Sequence, residues 1–222
     1  MAAGAFTRFP PKALTFLRAL KRHNDREWFR ERKDQYEQLL RTPMAALIER
    51  LADDLRTVAP NIVCEPKTAI YRPYRDTRFS GDKTPIKTNI AASFPTRGLP
   101  KHQGAGLYIE VAPGWVFLGG GMYAPETSQL HAVREHIAGN HRRLDAIVRS
   151  PGFRKTFGGL TGDTLQRVPR GFAVDHPAAE YLKYRQFLAF VEHPAAMATG
   201  PRFYANVLAV FRQAVPLITF LN

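Results

Sequence analysis

The chain has 222 residues, 45% of them hydrophobic and 23% charged, with Lys plus Arg 32 against Asp plus Glu 19 and a formal net charge of +13. That length fits one large domain or two small ones and buries about 70–75% of the unfolded surface, enough for a real core. The composition excludes a disordered, fibrous or repeat protein, and the single cysteine, Cys64, excludes an internal disulfide.

The positive field attracts nucleic acid, anionic lipid headgroups or phosphorylated small molecules. A genome that simply favours arginine produces the same excess with no ligand behind it. The N-terminal stretch MAAGAFTRFP lacks the apolar core of a signal peptide. No apolar run approaches ~18 residues, so no membrane-spanning helix is expected and the cytoplasm is the expected compartment.

Helical periods fill the N-terminal third, residues 11–59. In KALTFLRALKRHN, Leu14, Leu17 and Leu20 share one stripe. Asn24 with Glu27 three residues later reads as a capping box. The following helix places Phe29, Tyr36 and Leu40 on one face. Thr42 reads as the cap of a third helix, with Pro43 in its first turn and Met44, Leu47, Ile48, Leu51, Leu55 and Val58 in period. Pro60 ends it.

The period then changes. TAIYR reads as a short strand, and Asn89 to Phe94 as another. GLYIEV alternates, with Leu107, Ile109 and Val111 on one side and Tyr108 and Glu110 on the other. GWVFLGGG follows a Pro113-Gly114 turn, which predicts an antiparallel hairpin. Helical period returns at Leu130, Val133 and Ile137, with a break at Gly139-Asn140 before Leu144, Ile147 and Val148. SPGFRKTFGGLTGD reads as loop, HPAAEYLKY as a short helix and RQFLAFVEH as a strand. The tail from Arg202 to Val215 reads as a helix broken at Pro216. Together these predict one α+β domain over residues 1–222, a central, mainly antiparallel sheet flanked by N-terminal and C-terminal helices.

Four segments carry a specific resemblance: FLRALKRHNDREWFRERKDQYE, YRPYRDTRFSGDKTPIKTNI, GGGMYAPETSQLHAVREHI and PRGFAVDHPAAEYLKYRQF. In this combination and order they resemble an uncharacterised, mainly bacterial family catalogued as domain of unknown function 2461, and they cover the chain nearly end to end. The resemblance implies a single domain. It brings no activity, cofactor or catalytic residue with it.

The segment from Tyr71 to Ile90 concentrates charge: Arg72, Arg75, Arg78, Lys83 and Lys87 face only Asp76 and Asp82. Pro73 and Pro85 exclude a continuous helix, so the segment reads as strand, irregular loop, then strand. Arginine forks match phosphate or carboxylate oxygens two at a time. Lys83 and Lys87 add point charges, and Ser80, Thr84 and amides near Gly81 can donate hydrogen bonds. A phosphate-bearing small molecule is the expected ligand. Two other uses of the same residues stay open: ion pairs with Asp76 and Asp82 that only hold the loop, and chemistry on a phosphorylated substrate with Asp76, Asp82 or His176 as acid or base. Non-specific nucleic-acid binding is a further alternative.

GDKT is not a P-loop, because the upstream glycine is missing and Pro85 follows. Gly119, Gly120 and Gly121 sit between a strand and a helix, where free amides hold anions; a sharp turn or the close approach of another element is the favoured explanation of them. The histidines lack ligand spacing, so neither metal nor cofactor is expected. Cys64 reads as a buried, inert thiol, and Trp28 as core or as a cation–π partner within its helix.

Overall fold

The computed structural model of the protein describes residues 6–78, 81–99 and 103–222. The apolar stripe of α1 (Lys12–Arg22) is buried through Ala13, Leu14, Phe16, Leu17 and Leu20. The next helix, α2 (Arg26–Glu31), is capped by Asp25, whose carboxylate accepts from the Trp28 amide at 2.7 Å. The cap is therefore one residue later than expected, and Asn24 is released for another task.

After α3 (Lys33–Tyr36), a π-turn at Glu37–Arg41 runs straight into α4 (Thr42–Leu55). Thr42 makes no cap. A proline inside a helix deletes one backbone bond and crowds the carbonyl four residues back. The widened turn before Pro43 absorbs both effects, so two expected helices join into one. The stretch expected as a strand at TAIYR is instead a single helical turn, α5 (Pro66–Ala69), and only Ile70 makes a bridge.

Strands β1 (Ile90–Pro95), β2 (Gly106–Val111), β3 (Trp115–Met122) and β4 (Phe187–Pro194) form an antiparallel sheet in the order β1-β2-β3-β4. Between β3 and β4 lie α6 (Thr127–Arg149), α7 (Pro151–Phe157) and α8 (Ala179–Leu182). The expected break in α6 is a non-helical Asn140 inside a continuous helix. The expected loop at SPGFRKTF is α7, started by Ser150 over the Phe153 amide with Pro151 behind it and ended by Gly158 at φ 76°.

A short 3-10 turn at Ala195–Thr199 leads into α9 (Phe203–Leu221). Pro216 lies within this helix and does not end it, because Ala214, Val215, Leu217, Ile218, Phe220 and Leu221 are all buried around it. Undivided, α9 is long and apolar enough to cross a membrane by length and composition, contrary to the expectation from the shorter reading. Here it packs across the sheet, with Phe211 edge-on to Phe94 at 5.6 Å.

The result is a single α+β domain. One face of the sheet, carrying Ile90, Ala92, Phe94, Leu107, Ile109, Val111, Val116 and Leu118, joins α1, α4 and α9 in one core. Gly120 lies on that face, and a Cβ there would come within 2.7 Å of Ile218 and 2.9 Å of the Gly106 carbonyl. The helix thus sits closer to the sheet than any side chain at this position allows.

Asn24 reaches 62 residues ahead and takes both backbone groups of Ile86: Nδ2 donates to its carbonyl at 2.8 Å and Oδ1 accepts from its amide at 3.0 Å. The amide group imitates one rung of a strand. Tyr74, edge-on to Phe29 at 5.8 Å, is a second tie between the 71–90 segment and α2.

Two substitutions follow from this packing. Asn24→Ala removes two partly buried hydrogen bonds and is expected to cost about 1–3 kcal/mol, with the Ile86 amide losing protection in hydrogen exchange while the sheet amides keep theirs. Gly120→Val forces side-chain volume between β3 and α9 and is expected to destabilise by about 1–3 kcal/mol, read as a lower urea midpoint at unchanged slope.

Candidate functional site

The second face of the sheet is not covered by a helix. Register puts Ala91, Ser93 and Pro95 of β1 beside Glu110, Tyr108 and Gly106 of β2, and these beside Phe117, Gly119 and Gly121 of β3. Phe190 and Leu188 of β4 continue the row. Small residues therefore run along one strip of this face, and aromatic rings stand along another. Phe117 and Phe190 stack at 4.7 Å with planes 9° apart, and Tyr108 meets both edge-on.

Gly121 has φ 145°, a conformation in which a Cβ would collide with the Phe187 carbonyl. No side chain is accommodated there, and the floor stays open. Over it lies a cavity of about 680 Å³ lined by both strips and by part of the 71–90 segment, a volume in the range of small-molecule sites.

The 71–90 segment forms the roof. It leaves β1's edge, where the Tyr71 amide donates to the Ala91 carbonyl at 2.9 Å. It then folds back on itself through a bridge between Tyr74 and Ile86. On either side of that bridge, Arg75 N donates to the Pro85 carbonyl at 2.9 Å and Lys87 N to the Pro73 carbonyl at 2.8 Å. Side chains alternate across such a ribbon. Tyr74 and Ile86 go outward to α2 and the core, and Arg75 and Lys87 go together to the other side, into the cavity.

The five basic residues thus have different surroundings. Arg72 is exposed. Arg78, also exposed, grips Asp76 through Nε at 3.1 Å and Nη2 at 2.8 Å, and this holds the Asp76 carboxyl below its usual range. Lys83 donates to the Thr77 carbonyl at 2.9 Å. Arg75 pairs with Asp82 through Nη2 at 3.0 Å, and the Asp82 carboxyl is held low mainly by the Thr84 hydroxyl and amide.

Lys87 makes no ion pair among the described residues and rests over the Tyr71 ring at 5.0 Å. Burial pushes its ammonium below the ordinary lysine range, the Arg72 and Arg75 charges push the same way, and Glu110 opposes them.

Among the described residues, four buried side-chain polar atoms lack a hydrogen-bond partner. Three of them, Arg75 Nε, Asn89 Oδ1 and Ser93 Oγ, belong to residues that line this cavity. Buried polar atoms are nearly always paired, so three exceptions around one cavity call for an explanation, such as ordered water, an ion or a ligand. On the floor, Tyr108 donates to Glu110 Oε2 at 2.7 Å, and burial drives the Tyr108 phenol far above its normal range.

Of the residues expected at a site, Arg75 and Lys87 converge with Gly121 on the cavity. Arg72, Arg78 and Lys83 do not line it, and Ser80 lies outside the described residues. Gly119, Gly120 and Gly121 are inside β3, flanked on both edges by β2 and β4, not at a strand-to-helix junction. That corrects the expected geometry: the ladder occupies this backbone, and the glycines matter for the space they leave.

Sequence reading missed Asn89, Ser93, Tyr108 and Glu110 as lining residues. The signal was present in the outward side of GLYIEV and GWVFLGGG, which carries Tyr108, Phe117 and glycines with a single charge, Glu110, where a solvated face would carry more. Elsewhere, burial pushes the Cys64 thiol up to about 12. His176 Nδ1 accepts from the Ala178 amide at 3.0 Å. Arg32 covers the Trp28 ring at 4.7 Å. Among the described residues no three His, Cys, Asp or Glu side chains gather into a metal-binding set.

No curated protein and no solved structure matches this chain. A family model matches residues 12–220, nearly the whole chain and all nine of the helices and four strands named above except the last residue of α9. The chain belongs to that family, described as conserved hypothetical protein, DUF2461.

Proposed function

We propose that this protein recognises a small phosphate-bearing or otherwise anionic molecule in the cavity between the open sheet face and the 71–90 roof. The observation that carries the reading is the Nε of Arg75, a guanidinium donor buried at the cavity wall with no acceptor. Asp82 pairs with the same guanidinium through Nη2, but a buried charged donor left without its own acceptor is still costly, and an incoming oxyanion at Nε relieves that cost. Lys87 adds a second positive charge on the same side of the roof. The aromatic walls lower the local dielectric and strengthen both attractions.

Nucleic acid is the weaker candidate. A phosphate backbone reaches exposed cations, and of those in this segment Arg78 already holds Asp76 and Lys83 a carbonyl, which leaves Arg72. Acid–base chemistry by Asp76, Asp82 or His176 is weaker too, because each makes local hydrogen bonds that shape its own loop.

Thermal shift against a panel of nucleotides and sugar phosphates tests the reading; a ligand at 100 times its dissociation constant adds about 2.7 kcal/mol. Arg75→Ala and Lys87→Ala are each expected to weaken the binding found by about 10–100-fold, the range of a lost charge-assisted hydrogen bond. Arg78→Ala and Lys83→Ala are expected to change it less than about threefold. A panel with no shift, or a shift that survives Arg75→Ala, contradicts the proposal.

The pH dependence has a defined sign. A lysine with a depressed pKa loses its proton, and its attraction for an anion, at a pH below the usual value of about 10.4. Affinity is therefore expected to fall with rising pH before that point. Lys87→Arg, whose charge persists, is expected to remove the fall.

A further inference from the structure

The anion reading leaves half of the cavity unexplained. Arg75 and Lys87 account for one end of a ligand. Asn89 Oδ1 is a buried acceptor without a donor, and Ser93 Oγ is a buried hydroxyl without a partner. An ionised phosphate ester accepts from a hydroxyl such as that of Ser93 but has no hydrogen to give Asn89 Oδ1.

Both residues lie on one line. Asn89, Ala91 and Ser93 alternate along the edge that faces the cavity, and Ala91 and Ser93 are the register partners of Glu110 and Tyr108. Asn89 is thus diagonal to Glu110 across β1 and β2, a separation that long side chains span. Glu110 Oε2 is taken by the Tyr108 hydroxyl, and Oε1 accepts no hydrogen bond among the described residues. Glu110 and Ser93 therefore present an acceptor and a hydroxyl on the floor, and Asn89 adds a second acceptor where the 71–90 segment enters β1.

Donors that reach these acceptors are ammonium, amide or hydroxyl groups. An ammonium is disfavoured by Arg75 and Lys87 in the same enclosed space. The walls and floor add shape. Tyr71, Tyr108, Phe117 and Phe190 present ring surface, and Gly106, Gly121 and Ala91 present almost none. Aromatic ring surface of this kind packs against the carbon–hydrogen face of a compact ring.

We infer that the ligand of this cavity is the phosphate ester of a hydroxylated ring, a cyclic sugar phosphate or the sugar-phosphate part of a nucleotide, with its phosphate at Arg75 and Lys87 and its ring hydroxyls donating to Asn89 Oδ1 and Glu110. The inference rests on the proposed anion site and adds the half that distinguishes one anion from another. Neighbouring hydroxyls on a ring suit a carboxylate flanked by an amide oxygen, since each acceptor takes one O–H. A simple alkyl phosphate, ionised and without a hydroxyl, leaves both acceptors empty, which is the form of discrimination that unpaired buried polar groups enforce most strongly.

Calorimetric titration of the full chain tests it with ligands matched in pairs. Ribose 5-phosphate is compared with tetrahydrofurfuryl phosphate, which keeps ring and phosphate and lacks the hydroxyls. Adenosine 5′-monophosphate is compared with its 2′,3′-dideoxy analogue. The hydroxylated member of at least one pair is expected to bind about tenfold tighter or more, a difference of about 1.4 kcal/mol. The pair that shows it names the source, free sugar or nucleotide. In Asn89→Ala and in the isosteric Glu110→Gln that preference is expected to shrink, while the affinity of the hydroxyl-free member stays within about twofold.

Equal binding within both pairs, or a preference untouched in both variants, overturns the inference and leaves the anion site standing. Adenosine or ribose binding as tightly as its phosphate removes the anion site instead. No binding of any of the four phosphates overturns both.

Discussion

The glycine run in the middle of β3 is the constraint on which both faces of the sheet depend. On the covered face, Gly120 lets α9 approach until Ile218 fills the space where a Cβ would be. On the other face, Gly121 opposes Gly106, and Gly119 opposes Tyr108. A strand of ordinary residues would have filled this face with side chains, and the sheet would have needed a second layer of helices or a solvated surface. Instead the centre of the face is bare backbone between aromatic rings. The tight core on one side and the cavity on the other thus have the same local cause.

A bare, aromatic-walled face exposes apolar surface, and the chain covers it with a loop rather than a helix. Two contacts from the N-terminal region hold that loop: the side chain of Asn24, between α1 and α2, on the backbone of Ile86, and Phe29 of α2 against Tyr74. The bridge between Tyr74 and Ile86 then sorts the charges. Arg78 and Lys83, in the turn beyond the bridge, are engaged by groups of the turn itself. Arg75 and Lys87, beside the bridge and on one side of the ribbon, are brought close enough for their charges to interact. Asp82 offsets part of the Arg75 charge; the repulsion that Arg72 and Arg75 still exert on the half-buried Lys87 is relieved by an anion, and that relief is the physical basis of the proposed affinity.

Much of the scaffold was legible in the sequence because it rests on local periodicity. The stripe of α1, the hairpin of β2 and β3, the strand at RQFLAFVEH and the α+β class all follow from spacing alone. The errors occurred where a proline or a polar residue served a purpose set by distant contacts. Pro216 sits inside α9 because the sheet holds the helix on both sides of it. Asn24 looks like a helix cap and is a clamp on a loop 62 residues away. Ser150, Pro151 and Gly158 did spell a helix, but Gly152 and the glycines that follow obscured the signal.

The site was half legible for a related reason. A basic loop with two prolines is visible as such, and Arg75 and Lys87 were among its candidates. Which of its five cations turn inward depends on the Tyr74–Ile86 pairing, and that pairing depends on Asn24 and Phe29. The floor was less legible still. Gly106 and Gly121, or Ser93 and Tyr108, become neighbours only through strand register, and a single chain read in order contains no statement of register.

The central claim, that Arg75 and Lys87 act together on an anion inside the cavity, is tested most directly by diffraction from crystals soaked in sodium selenate. The account predicts an anomalous selenium peak within hydrogen-bonding distance of Arg75 Nε and Lys87 Nζ, above the Gly106–Gly121 floor. Peaks confined to exposed cations such as Arg72 and Arg78, with no peak between Arg75 and Lys87, would contradict it.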